Sequence, residues 1–124
     1  RDKADKARAI IRAFEYYGRP YDFNFDFLTD ESLVCTELVY KAWEPSKKKK
    51  GVNFEMVQVM GRNTLPANDL VRQFAKQLDL PEEKRDLEFV YFLDGHERAK
   101  GAIVSNEEAF KVSYLRPKWD IMQD

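Results

Sequence analysis

Between Tyr21 and Trp43 the spacing of apolar residues changes period, and this change limits the fold more than any other feature. Tyr21, Phe23, Phe25 and Phe27 share one parity, while Asp22, Asn24 and Asp26 take the other. Such alternation predicts a strand or extended loop with its aromatics in the core and its acids in water. From Cys35 the period lengthens: Cys35, Leu38, Val39 and Ala42 fall at i, i+3, i+4 and i+7, on one face of a helix. Asp30, Glu31 and Ser32 are residue types that start helices, and Pro45 cannot continue one. The spacing therefore predicts a helix from Cys35 to near Trp43.

The flanking segments predict further elements of both kinds. Residues Asp2 to Tyr17 read as an amphipathic helix with Ala7, Ile10, Ile11, Phe14 and Tyr17 as its apolar stripe, ended by Gly18 and Pro20. Lys47 to Lys50, followed by Gly51, reads as a solvated loop tip. Val52 to Met60 has strand character, and Thr64-Leu65-Pro66 resembles a helix start with Thr64 as its cap. Leu70, Val71, Phe74, Ala75 and Leu78 form the buried stripe of that helix, which Pro81 closes. Leu87 to Leu93 is apolar on both faces except at Glu88, which predicts a central strand. Asp94-Gly95 marks a turn into a second strand at Ala102 to Val104. Ser105 to Glu108 has capping-box form and opens a short helix through Phe110, and Trp119 is expected to anchor the tail. The expected architecture is a single α+β domain over residues 1–124, with the cysteine-bearing helix packed on a small antiparallel sheet.

Composition excludes several function classes. A net charge of −1 gives no reason to expect nucleic acid or an anionic membrane as partner. Hydrophobic residues at 44% and aromatics at 14% indicate a globular chain of one domain's length. A single cysteine cannot form an internal disulfide. No apolar run reaches the length of a membrane span and no signal-peptide pattern is present, so a soluble protein is expected, in the cytoplasm or the cell envelope.

Cys35 is the residue with chemical promise. In the first turn of a helix, unpaired backbone N–H groups and the helix dipole favour an anion, and a thiolate is an anion. The same N–H groups can hold a developing oxyanion. A free cysteine is also among the most buried residue types, so a core role stands beside the nucleophile.

The words around Cys35 carry a resemblance. Gly18-Arg19-Pro20-Tyr21, an aromatic and acidic loop, and then Cys35-Thr36-Glu37-Leu38-Val39 on a helix resemble the YiiX-like family of circularly permuted papain-fold amidases. The block is also similar to the NlpC-type cell-wall hydrolases, and it spans residues 8 to 43, about a third of the chain. The resemblance implies a bacterial thiol hydrolase of peptide, cell-wall or lipid-linked amides, with no metal or organic cofactor. Cys35 would be the nucleophile, a histidine the base, and Tyr21 an oxyanion donor beside the Cys35 N–H. Glu37 points to a different helix face from Cys35, where it would be a plain exposed glutamate, hold substrate, or bind backbone in the preceding loop. Asp22, with Asp26, would shape a substrate cleft. The alternating Asp22, Asn24 and Asp26 also share the spacing of calcium ligands, but the glycine and terminal glutamate of that loop are missing, and no metal is expected.

The family places its histidine before the cysteine, yet the 34 residues that precede Cys35 contain none. His96, the only histidine, lies in the charged turn Asp94-Gly95-His96-Glu97 and reads as an exposed turn residue. The chain also opens Arg1-Asp2-Lys3, without an initiator methionine, so the functional histidine is expected in a preceding segment. Two alternatives accompany the hydrolase: a non-catalytic binding domain on the same scaffold, and a lipid acyltransferase-like protein, which an apolar tunnel beside Cys35 would favour. Strand edges left open by a missing segment would favour a homodimer.

Overall fold

The computed structural model describes residues 2–25, 27, 30–96 and 98–117. It combines helices with two small antiparallel hairpins, and the chain divides into two compact units, Arg1–Ala67 and Asn68–Asp124. No described helix is long and apolar enough to cross a membrane. Trp119 and Asp26 lie outside the described residues.

The first unit is built on α1 (Lys3–Phe14) and α2 (Cys35–Trp43), which pack on each other. Asp2 caps α1 by accepting the Asp5 N–H at 2.7 Å. The helix buries Asp5 and Ala9, and just beyond its end the chain buries Tyr16. The apolar stripe expected to seek the core does the opposite: Ile10, Ile11, Phe14 and Tyr17 face solvent, Phe14 at 71% exposure. Polar anchoring sets the rotation of α1. The Asp5 carboxylate accepts the Lys50 and Gly51 N–H groups, each at 3.1 Å. The guanidinium groups of Arg12 and Arg19 lie 4.8 and 5.0 Å from the Tyr16 ring centre.

The tip at Lys47 to Lys50 is solvated at Lys47, Lys48 and Lys50, as expected, but Lys49 turns inward. Ser46 and Lys49 pair across a tight turn, and the buried Lys49 ammonium donates to the Ala42 carbonyl at the end of α2. Gly51 completes the turn with φ of +62°, and a Cβ there would lie 2.3 Å from the Trp43 carbonyl oxygen. Only glycine fits that approach.

Residues Val52 to Met60 give a shorter strand than expected. Pairing is confined to β1 (Val57–Val59) and β2 (Arg62–Thr64), in register Val57↔Thr64, Gln58↔Asn63 and Val59↔Arg62. Met60 and Gly61 form the two-residue loop, with φ of 50° and 77°. Both residues are left-handed, which matches the twist of a tight hairpin. Thr64 is thus the last strand residue and not a helix cap, and Leu65 beside it is fully buried.

The second unit holds α3 (Ala67–Gln77), β3 (Phe92–His96), β4 (Gly101–Ser105) and α4 (Glu107–Val112), with 3-10 turns at Glu82–Lys84 and Ser113–Leu115. Phe74 of α3, Phe89, Phe92 and Phe110 form its aromatic core, with ring centres 5.1–6.5 Å apart. The expected strand at Leu87 to Leu93 is displaced toward its C-terminal end. The buried Gln77 side chain accepts the Asp86 and Leu87 N–H groups and donates to the Leu87 carbonyl, so that backbone is bonded to a side chain and not to a neighbouring strand. The ladder begins at Phe92↔Ser105 and runs to His96↔Gly101, so Asp94 and Gly95 pair within it and the turn falls later. Asn106, one residue after Ser105, is the cap of α4, accepting the Ala109 N–H at 2.9 Å. Asp94 is buried and bound by both Arg116 guanidinium nitrogens at 2.7 Å, which holds its carboxyl below the usual carboxylate range.

Candidate functional site

Cys35 is the first residue of α2, and its side chain is exposed. The residue before it, Val34, stands in the cap position without a side-chain acceptor, so the first-turn N–H groups receive no bond from the cap side chain, while the Glu37 side chain accepts the Val34 N–H. The N–H groups of the first turn are the ones such a side chain would otherwise satisfy. The helix ends at Trp43, as the Pro45 signal predicts.

A backbone clamp sets Tyr21 beside this helix start. The Asp22 N–H donates to the Leu33 carbonyl at 3.2 Å, and the Leu33 N–H donates to the Pro20 carbonyl at 3.0 Å. Leu33 is two residues before Cys35, so the Pro-Tyr segment and the start of α2 are held side by side. Among its described residues, the intervening loop forms no strand beyond the bridge between Tyr21 and Leu33. Asp22 Oδ1 accepts the Asn24 N–H at 2.8 Å, closing a tight turn, and Phe25 takes a left-handed φ of 54°. The burial expected from alternation is reversed there: Asp22 is buried, while Phe23 and Phe25 are exposed. Phe27 alone of the four aromatics enters the core. The Tyr21 ring makes edge-on contacts with Phe23 and Phe25, at 5.0 and 6.2 Å between centres, and stays 47% exposed. These contacts restrain the phenol without burying it.

Cys35 and Tyr21 line one cavity of about 320 Å³. Tyr21, Phe25, Phe27, Val34, Val59 and Leu65 supply apolar walls, with Thr36 and Thr64 also in the lining. All of the lining belongs to the first unit. The space next to the thiol is thus an open, mostly apolar cavity. A second, shallower cavity is lined by Phe23, Asn24, Met60 and Arg62, and it shares Phe25, Val59 and Thr64 with the first.

Glu37 corrects the expectation of substrate contact. Its side chain is 0% exposed, and its Oε2 accepts the Val34 N–H at 3.2 Å. It binds backbone just before the helix, the other role open to it, and no substrate reaches a carboxylate so enclosed. Its Oε1 has no hydrogen-bond partner but lies 3.5 Å from Lys41 Nζ. Burial pushes the Glu37 carboxyl up, and nearby Asp22 adds to this, while the Val34 N–H and Lys41 pull the other way. Burial also works against the Lys41 charge, but its hydrogen bond to Asp30 and the charges of Asp30 and Glu37 leave it raised. The Lys41 hydrogen bond holds Asp30 low. Asp30, Glu37 and Lys41 thus latch the loop after Tyr21 onto α2. Asp22 likewise acts by shaping the loop, through its turn with Asn24 and its pairing with Leu33.

His96 belongs to the second unit, at the end of β3. It is half-buried, and its Nδ1 accepts the Ala99 N–H at 3.2 Å across the β3–β4 turn. That nitrogen is engaged in holding the turn, which leaves the neutral ring its proton on Nε2. The sequence reading missed the contribution of Val59, Thr64 and Leu65 to the cavity. Only hairpin pairing brings them there, some 25 residues beyond Cys35 in sequence, and a period-2 pattern does not reveal which partner a strand meets. No protein-family model, curated protein or solved structure matches the chain.

Proposed function

We propose that the first unit carries the nucleophile of a thiol hydrolase, an amidase or a related acyl-transfer domain that takes an apolar acyl group. The observation that carries this reading is the exposed thiol at the first position of α2, lining a mostly apolar cavity. The resemblance of Gly18–Tyr21 and Cys35–Val39 to the YiiX-like, NlpC-type hydrolases supports the same chemistry. The Cys35 thiolate attacks the substrate carbonyl carbon, forming a C–S bond as the carbonyl π pair moves to oxygen. The Cys35 N–H and the Tyr21 hydroxyl donate to that oxyanion. Collapse expels the amine, which takes a proton, and leaves a thioester for water or another acceptor to cleave. The first unit contains no histidine, so both proton transfers fall to a group outside it.

That same lack of histidine favours a second reading, in which the scaffold binds an apolar ligand without turning it over. Activated esters separate the two, because their leaving group needs no protonation. With p-nitrophenyl octanoate, the thiol hydrolase gives one equivalent of nitrophenol rapidly, faster than with the acetate, and Cys35→Ser abolishes the burst. A burst that survives Cys35→Ser, or no burst with either ester, leaves only the binding domain.

A further inference from the structure

Resting on that reading, we infer that Arg62 binds a carboxylate at the far end of the acyl chain that Cys35 receives. Arg62 lines the cavity of about 380 Å³ that adjoins the one beside Cys35, together with Phe23, Asn24 and Met60. Among the described residues that line the two cavities, Arg62 alone carries a fixed charge. Strand register places its side chain. Arg62 pairs with Val59 across the β1–β2 hairpin, and residues directly opposite in such a ladder project from the same face. Thr64, two residues further along β2, shares that face by the period of a strand. Val59 and Thr64 line both cavities, so the Arg62 side chain issues from the hairpin face that bounds them. Its guanidinium then reaches the loop after Tyr21 and donates to the carbonyl of Asn24, which lines the same cavity. That bond holds an otherwise exposed cation against the cavity wall.

A guanidinium presents five N–H donors in a planar fork, and one carbonyl engages only part of it. Among the described residues, no carboxylate forms an ion pair with Arg62. A carboxylate has the two oxygens that match such a fork. A doubly charged phosphate would call for a second cation, and the described lining holds none. The path from thiol to guanidinium is open and apolar. Phe25 and Val59 line both cavities and are exposed, so a chain can lie across them with its carbonyl at Cys35 and its far end at Arg62. The methylenes then cover apolar side chains while the terminal carboxylate meets the cation. A plain chain gains only the first of these contacts. Apolar pockets discriminate weakly between chains, whereas a site that bonds one polar group rejects analogues lacking it.

The test is a series of p-nitrophenyl monoesters of straight-chain diacids, from adipic to sebacic acid. Each is compared with the plain alkanoyl ester of the same length, and both rates are divided by those of N-acetylcysteine. At one chain length, acylation of Cys35 in the whole chain is expected to favour the carboxylate-ended ester by roughly tenfold, the low end for a hydrogen bond to a charged group. Added salt should reduce that preference, because the pair is exposed. Arg62→Gln should bring the ratio close to one, and Arg62→Glu should turn it toward an ester ending in an ammonium group. Each ratio is taken within one variant, so a change in overall rate does not enter it. Ratios near one at every length in the native chain, or a carboxylate preference that survives Arg62→Gln, overturn the assignment, while acylation by the plain esters still supports the thiol chemistry. Binding of monomethyl suberate and methyl octanoate to the whole chain carrying Cys35→Ala provides a readout independent of chemistry. If no ester acylates Cys35 but an Arg62-dependent preference for the suberate persists in binding, the hydrolase reading fails and the carboxylate site stands. If that preference is missing from binding as well, both fall.

Discussion

Replacing Glu37 by alanine and by glutamine should have sharply different consequences, because one substitution removes a hydrogen-bond acceptor and the other only a charge. Glu37 is fully enclosed, accepts the Val34 N–H, and faces Lys41 at 3.5 Å. Alanine orphans the buried Val34 N–H, at a cost of about 1–3 kcal/mol. It also gives up about one buried methylene, worth about 0.8 kcal/mol. Lys41 keeps Asp30 as partner, so no cation is stranded. The expected destabilisation by Glu37→Ala is therefore about 2–4 kcal/mol. Glutamine keeps a carbonyl oxygen for the Val34 N–H, removes a charge that burial disfavours, and leaves Lys41 its partner Asp30. Glu37→Gln should therefore cost clearly less than Glu37→Ala at pH 7, because the buried N–H stays bonded. The pH dependence has a definite sign. The folded state raises the Glu37 pKa, so it binds the proton more tightly than the unfolded chain does. Stability from this group is full below the unfolded value of about 4.3 and declines as pH rises through the folded one. The advantage of glutamate over glutamine should accordingly shrink between pH 4 and pH 7. Urea denaturation of the three proteins at several pH values measures all of this. Equal losses for alanine and glutamine, or a cost below about 1 kcal/mol for alanine, would refute the hydrogen-bond latch.

Three other substitutions test separate parts of the structure. Gly51→Ala should destabilise the first unit by more than about 2 kcal/mol, from left-handed strain and the clash with the Trp43 carbonyl, and a thermal melt unchanged from the parent would contradict this. Asp94→Asn should remove the acid sensitivity contributed by the Arg116 pair. A carboxylate held low stabilises the fold above its unfolded pKa of about 3.9 and loses that contribution as pH falls through its folded value, so the variant's acid unfolding curve should be flatter below about pH 4. Tyr21→Phe should slow acylation of Cys35 by about tenfold or more without altering stability, since the phenol is partly exposed and one oxyanion donor is typically worth at least that much. An unchanged acylation rate would remove Tyr21 from the site.

The elements that local chemistry decides were legible in the sequence. The cysteine helix runs from Cys35 to Trp43 because its period is continuous and Pro45 stops it. The bounds of α1 were close to those expected, but its orientation was not. Apolar spacing pointed to Ile10, Ile11 and Phe14, whereas Asp5 and Tyr16 face inward, because two backbone N–H groups 45 and 46 residues away find their acceptor in Asp5. Tyr21 to Phe27 alternates like a strand, yet pairing stops at a single bridge between Tyr21 and Leu33, because Asp22 turns the chain locally. Leu87 to Leu93 has strand composition, but Gln77 claims its first backbone groups. The same limit applied at the site. Residue types and neighbours singled out Tyr21 and Cys35, which line one cavity, while the share of Val59 and Thr64 in that lining becomes visible only once the β1–β2 hairpin has closed.

The most direct measurement is the rate at which octanoyl from the p-nitrophenyl ester accumulates on the peptide containing Cys35, followed by mass spectrometry in the native chain and in the same chain unfolded in urea at one pH. A thiol held at a helix start beside an oxyanion site and an apolar cavity should acylate faster when folded, and Tyr21→Phe should reduce that advantage. A native rate equal to or below the unfolded one would mean that folding gives Cys35 no chemical assistance, and the thiol-hydrolase reading would be wrong.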